Sequence, residues 1–119
     1  MNNKPKYSIF KNSMYAIDGL VHAIKTETSF KLELFFGFFI LIAIYFFPIE
    51  LHYKLILLST LFLIFIVELL NSAIENVVDL VTKEIHPLAK TAKDMGATAV
   101  LFSVILHILC WLFILIYTL

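Results

Sequence analysis

Glu68-Leu69-Leu70-Asn71-Ser72-Ala73-Ile74-Glu75-Asn76-Val77-Val78-Asp79 is a polar run set at the end of a long apolar one. At about 100° per residue on an α-helix, Glu68, Asn71, Ser72, Glu75 and Asp79 share one face, within an arc of roughly 100°. The opposite face is Leu, Ile and Val. Ionisable groups are costly at the end of an apolar span, so their default reading is functional. Three carboxylates and an amide on one stripe suit hard divalent cations, and those cations usually accompany phosphates. The stripe therefore points to metal-assisted phosphate chemistry at a membrane surface.

Composition supports the membrane setting. Of 119 residues, 61% are hydrophobic and twelve are Phe, above the share of a soluble domain. Nine basic and nine acidic side chains cancel, which removes the case for nucleic-acid binding. The single cysteine, Cys110, lies inside an apolar run and has no intrachain partner.

Outward from the stripe, three segments approach the roughly 20 residues that a helix needs to cross a bilayer. They run over about 30–48, 51–70 with helical pattern extending to about 81, and 95–119. Lys31 and Glu33 stand near one end of the first span. Pro48-Ile49-Glu50-Leu51-His52 leaves only a tight turn, so spans one and two form an antiparallel hairpin. His86-Pro87 breaks the chain before the third helix. Ahead of the first span, Phe10, Met14, Ile17, Val21 and Ile24 recur at helical spacing, with Lys11, Asp18, His22 and Lys25 on the other side. This predicts an amphipathic helix over about 8–26, suited to lying on the membrane interface. The chain reads as a single all-α membrane domain.

Lysine placement predicts the orientation. Lys4, Lys6, Lys11 and Lys25 precede the first span, and Lys83, Lys90 and Lys93 fall between the second and third. Only Lys54 lies near the first turn. By the positive-inside rule the N-terminus and the 71–94 segment are cytoplasmic and the C-terminus is outside. The stripe then faces the compartment that contains ATP.

Other conspicuous residues have plainer readings. Taken alone, Lys93 anchors the third span. His107 has no acidic neighbour on its helix and reads as a packing or inter-helix hydrogen-bonding residue, and Cys110 as core. The Phe-rich first span reads as lipid-facing or packing surface, with Gly37 offering a close helix approach. Three glycines exclude a GxxxxGK[ST] loop and a kinase GxGxxG. No HExxH or CxxC motif exists to suggest zinc.

The run Glu68 to Asp79, followed by His86-Pro87-Leu88-Ala89 and Ala92-Lys93-Asp94-Met95-Gly96-Ala97, resembles the signature of the prokaryotic diacylglycerol kinase family. That family also includes undecaprenol kinases. The resemblance covers nearly the whole chain in length, span number and motif order. It implies a homotrimeric bundle in the bacterial inner membrane, with three spans and one surface helix per chain. It also implies transfer of the ATP γ-phosphate to a lipid alcohol. Glu68 would be the general base, and Glu27 and Glu75 the Mg2+ ligands. Asn71, Asp79, Lys93 and Asp94 would complete the catalytic and nucleotide contacts, with Tyr15 and Glu84-Ile85-His86 near the nucleotide. Trp111 falls where the family often has a third-span tryptophan. Three thin spans cannot enclose ATP alone, so the resemblance also implies sites shared between subunits.

The chain departs from the diacylglycerol branch in places. Ile17-Asp18-Gly19 stands where that branch has Trp-Lys-Gly, and Leu32 where it often has an amide. Ser8 aligns with its usual basic residue, leaving Lys6 or Lys11 to supply a phosphate contact. Glu27-Thr28-Ser29-Phe30-Lys31 and Lys93 to Ala97 resemble the diacylglycerol branch more than the undecaprenol branch. Diacylglycerol is thus the expected acceptor and undecaprenol the alternative. A small non-catalytic transporter or assembly subunit is the reading from another class.

Overall fold

A computed structural model describes residues 8–119. Lys4 and Lys6, which enter the orientation argument, lie outside the described residues. Four helices follow in order: α1 (Ile9–Thr26), α2 (Thr28–Phe46), α3 (Leu51–Val81) and α4 (Pro87–Thr118). The last three are long and apolar enough to cross a membrane.

Local chemistry sets the boundaries. Ser8 caps α1, its hydroxyl accepting from the Lys11 backbone N–H at 3.4 Å, so this residue terminates a helix. Glu27 closes α1 and opens α2 in extended conformation. The α2–α3 turn is short, and Lys54 Nζ donates to the Tyr45 carbonyl at 2.6 Å, satisfying an orphan group at the end of α2. His86 caps α4 with Nδ1 accepting from Leu88 N–H at 3.1 Å, and Pro87 occupies the first turn, where its missing N–H costs nothing.

The helical third segment begins earlier than the apolar one. It starts at Pro87 rather than near Met95, so Lys90, Lys93 and Asp94 stand on helical turns. At 31 residues, α3 is about 46 Å long, more than the roughly 30 Å of a hydrocarbon core. Its last turns, and the first turns of α4, therefore project beyond the apolar stretch.

Packing is thin, as expected for a chain without soluble-protein burial. Ile44, Leu57, Leu61 and Ile114 form the buried cluster, with Cys110 and Trp111 packed against it. The Phe65 ring lies over Gly37, where a Cβ would overlap it, and meets Phe30 edge-on at 6.4 Å. Gly37 thus provides the close approach its position suggested. Phe35, Phe36, Phe38, Phe39 and Phe46 point outward from α2. Along α1, Phe10, Met14, Ile17, Val21 and Ile24 are all exposed, and only Ala23 is buried.

α3 and α4 are joined by polar bonds at two levels. Trp111 Nε1 donates to His107 Nε2 at 3.0 Å, and His107 Nδ1 meets the Thr60 hydroxyl at 2.7 Å. Because an indole N–H can only donate, Nε2 is the acceptor and neutral His107 carries its proton on Nδ1. His107 is the inter-helix hydrogen-bonding residue its surroundings suggested. The second link, Lys93 to Asp79, belongs to the candidate site.

Candidate active site

The polar face of α3 turns inward against α2 and α4. Glu68, Asn71 and Ser72 are buried, and Glu75 and Asp79 half-buried. Asn71 Nδ2 donates to Glu75 Oε1 at 3.3 Å, one helical turn on, and holds that carboxylate. Asn71 Oδ1 is buried without a partner and presses on Gly96 of α4, where any Cβ would overlap it. Gly96 is therefore the surface against which Asn71 is set.

Glu33, from α2, completes the inner end. Its carboxyl lies within hydrogen-bonding reach of the Glu68 carboxyl, and its Oε2 is buried with no donor. Two carboxyls set this close can share one proton, one donating and the other accepting. A hydroxyl brought beside them can donate to the carboxylate oxygen left free. Glu27 and Glu75 lie close enough for their charges to act on Glu68. Glu27 also lines a cavity of about 450 Å³ between α1 and α3, with Gly19, Ala23, Leu69, Ser72 and Asn76.

A second cavity, of about 310 Å³, opens at the outer ends of α3 and α4. Asp79, Lys83, Glu84, Ile85, His86, Lys90, Lys93 and Asp94 line it with Val78, Thr82 and Ala89. Lys93 Nζ bonds Asp79 Oδ1 at 2.7 Å across the two helices, and Lys90 Nζ bonds Asp94 Oδ2 at 2.6 Å along α4. The Lys93 ammonium holds the Asp79 carboxyl below its usual range, and Asp79 raises Lys93 in return. Glu84 N–H donates to Thr82 Oγ1 at 3.0 Å, shaping the connecting turn.

The expected site residues thus fall into neighbouring groups. Glu68, Asn71 and Glu75 share the buried face of α3, with Glu27 close by. Asp79, Glu84, Ile85, His86, Lys93 and Asp94 line the outer cavity together. Tyr15, on the exposed side of α1, lines neither cavity. Sequence reasoning did not give Glu33 a role beyond the end of the first span. A carboxylate two residues after Lys31, entering an otherwise uncharged span, was the available signal. Lys83 and Lys90 counted only towards orientation.

Residues 14–115 match the family model described as prokaryotic diacylglycerol kinase. The chain belongs to this family. It is 38% identical to the diacylglycerol kinase of Escherichia coli K12 over 106 residues, covering 87% of this chain and 84% of that one. It is similarly 38% identical to the Haemophilus influenzae diacylglycerol kinase over 104 residues, 87% of each chain. With the Helicobacter pylori 26695 diacylglycerol kinase the identity is 40% over 104 residues, 87% of this chain and 80% of that relative. The match spans all four helices and so covers every residue of both groups. The chain is accordingly a lipid kinase of the diacylglycerol kinase kind, and its three apolar helices make it a membrane protein.

Among the described residues no group of three or more His, Cys, Asp or Glu converges on one point as a metal cage. Magnesium rarely uses such a cage. It keeps several waters and takes one or two carboxylates together with substrate phosphates. Glu75, already oriented by Asn71, and Glu27 near the same carboxyl cluster fit that smaller requirement.

Proposed function

We propose that the chain transfers the γ-phosphoryl group of Mg-ATP to the free hydroxyl of diacylglycerol, giving phosphatidic acid and ADP. The observation that carries this reading is the facing pair Glu33 and Glu68. It offers a buried carboxylate acceptor for a hydroxyl, two helical turns along α3 from Glu75, with the cavity of lysines and carboxylates further along the same helix.

The lipid hydroxyl enters beside those carboxyls from the bilayer side. Its oxygen attacks the γ-phosphorus, Glu68 accepts the hydroxyl proton, and the bond from phosphorus to the ADP oxygen breaks. Asn71 keeps Glu75 in place, while Lys93, held by Asp79, offsets charge on the phosphates. Asp94 and the Glu84-Ile85-His86 turn contact the nucleotide, and Tyr15, which lines neither cavity of its own chain, would reach it from a neighbouring chain. Glu27 and Glu75 would hold Mg2+, which when bound neutralises phosphate charge. Phosphoryl transfer depends on alignment and charge compensation more than on covalent help, and this side-chain set supplies both.

In this reading the chain is a single membrane domain of the bacterial inner membrane. The N-terminus and the α3–α4 turn face the cytoplasm, and the C-terminus lies outside. α1 lies on the cytoplasmic interface with its exposed apolar side in the lipid. Three chains assemble as a homotrimer, and the active sites are completed between subunits. The bundle's thin packing and the outward side chains of α2 support this assembly.

The experiment is transfer of labelled γ-phosphate from ATP by the purified chain in mixed micelles, with diacylglycerol or undecaprenol as acceptor. Phosphatidic acid as the dominant product is expected. Preferential phosphorylation of undecaprenol would overturn the acceptor assignment.

A further inference from the structure

The outer cavity carries as many carboxylates, Asp79, Glu84 and Asp94, as lysines, so what counts is which ammonium groups are free. Three lysines, Lys83, Lys90 and Lys93, line it at once. Lys93 and Lys90 are already ion-paired, to Asp79 and Asp94. Lys83 makes no ion pair among the described residues, although it lies close enough for its charge to act on Asp79. A free ammonium and an exposed, exchangeable one therefore border a cavity of about 310 Å³.

Position along α3 says which part of a nucleotide they meet. Eleven residues separate Glu68 from Asp79, about 16 Å of helix. The phosphoryl group that moves must point towards Glu68, so the turn around Lys83 and the first turn of α4 lie on the leaving side. Resting on the nucleotide reading above, we infer that Lys83 and Lys90 bind the α- and β-phosphates of the nucleotide, the part that departs as ADP.

The two lysines act differently. Lys83 approaches from the connecting turn and gives up no protein partner. Lys90 exchanges Asp94 for phosphate, which frees the Asp94 carboxylate for other contacts in the cavity. An ammonium is suited to this exchange because it is a point charge on a flexible stem. Contacts to these phosphates persist from bound substrate to bound product. They set nucleotide affinity and contribute little to the barrier.

The test uses the full-length chain in mixed micelles, with Lys83→Gln, Lys90→Gln, the double variant and the Lys83→Arg/Lys90→Arg pair. KM for ATP and inhibition by ADP, AMP and adenosine would be measured with saturating diacylglycerol. Each Gln variant should raise KM for ATP and the inhibition constant of ADP about fivefold, and the double variant about twentyfold, as for partly exposed charge pairs. AMP inhibition should weaken less and adenosine not at all, kcat should change less than KM, and the Arg pair should recover most affinity. Unchanged ATP and ADP affinity in the double variant, with the parent chain active, would overturn the inference alone. Equal weakening for all four nucleotides would also overturn it, as the signature of a collapsed cavity rather than lost phosphate contacts. If Lys93→Met and His86→Ala also bound ATP with the parent's affinity in a direct binding assay, the nucleotide reading of the cavity would fall with it.

Discussion

Replacing Glu68 by Gln separates catalysis from folding, because the same change should act on them in opposite directions. Glu68 is 6% exposed and faces Glu33, whose Oε2 has no donor. A glutamine keeps the shape but brings an N–H that Glu33 can accept. A hydrogen bond to a charged group is worth about 1.5–3 kcal/mol, which partial exposure of Glu33 reduces to about 1 kcal/mol. Turnover moves the other way, since an amide cannot accept the hydroxyl proton. Loss of a general base typically costs about 10²–10⁴-fold, or about 3–5 kcal/mol of barrier. The assays are kcat with ATP and diacylglycerol in mixed micelles, thermal unfolding in the same micelles, and ATP affinity. The expected variant is inactive, binds ATP and unfolds at or above the parent temperature. Near-normal kcat would refute the base assignment, and a marked fall in unfolding temperature would refute the placement of Glu33.

The other predictions address the remaining parts of the site. Glu27→Gln and Glu75→Gln should each raise the magnesium concentration needed for half-maximal activity, since each removes an anionic oxygen; identical titrations in both would exclude them as ligands. Gly96→Ala should force Asn71 off its seat, costing about 1–3 kcal/mol of stability as overpacked sites do, and should weaken magnesium dependence through Glu75. Wild-type stability and magnesium response together would contradict that coupling. Because Lys93 lowers the Asp79 carboxyl, their link contributes fully above the ordinary carboxylate range and is lost as pH falls through the lowered value. Unfolding in micelles should show this acid loss, and Asp79→Asn should flatten it. Inactive Glu27→Gln and Lys93→Met subunits, co-assembled with differential tags, should regain activity if one chain supplies Glu27 and another the α3–α4 residues. Mixed trimers without activity would leave each chain catalytically self-contained.

Much of the architecture was legible because membrane solvent simplifies the code. Predominantly apolar runs near 20 residues mark the spans, and the His86-Pro87 break marks the start of α4, where proline costs nothing. The stripe from Glu68 to Asp79 was legible from helical period alone, since every member lies on one continuous helix. Its extension to Val81 also held, for the pattern carries past the apolar stretch without a breaker.

What sequence could not decide lay between helices. Glu33 and Glu68 are 35 positions apart, and only the crossing of α2 on α3 brings their carboxyls together. Gly96 looked like one small residue in a motif, yet its missing Cβ is what lets Asn71 sit against α4. Lys83 and Lys90 read as orientation charges until the α3–α4 turn folded them around one cavity. Periodicity along a chain fixes which side chains share a helix face. Which faces meet is decided by packing between elements, where volume, close approach and the pairing of polar groups act across long sequence separations.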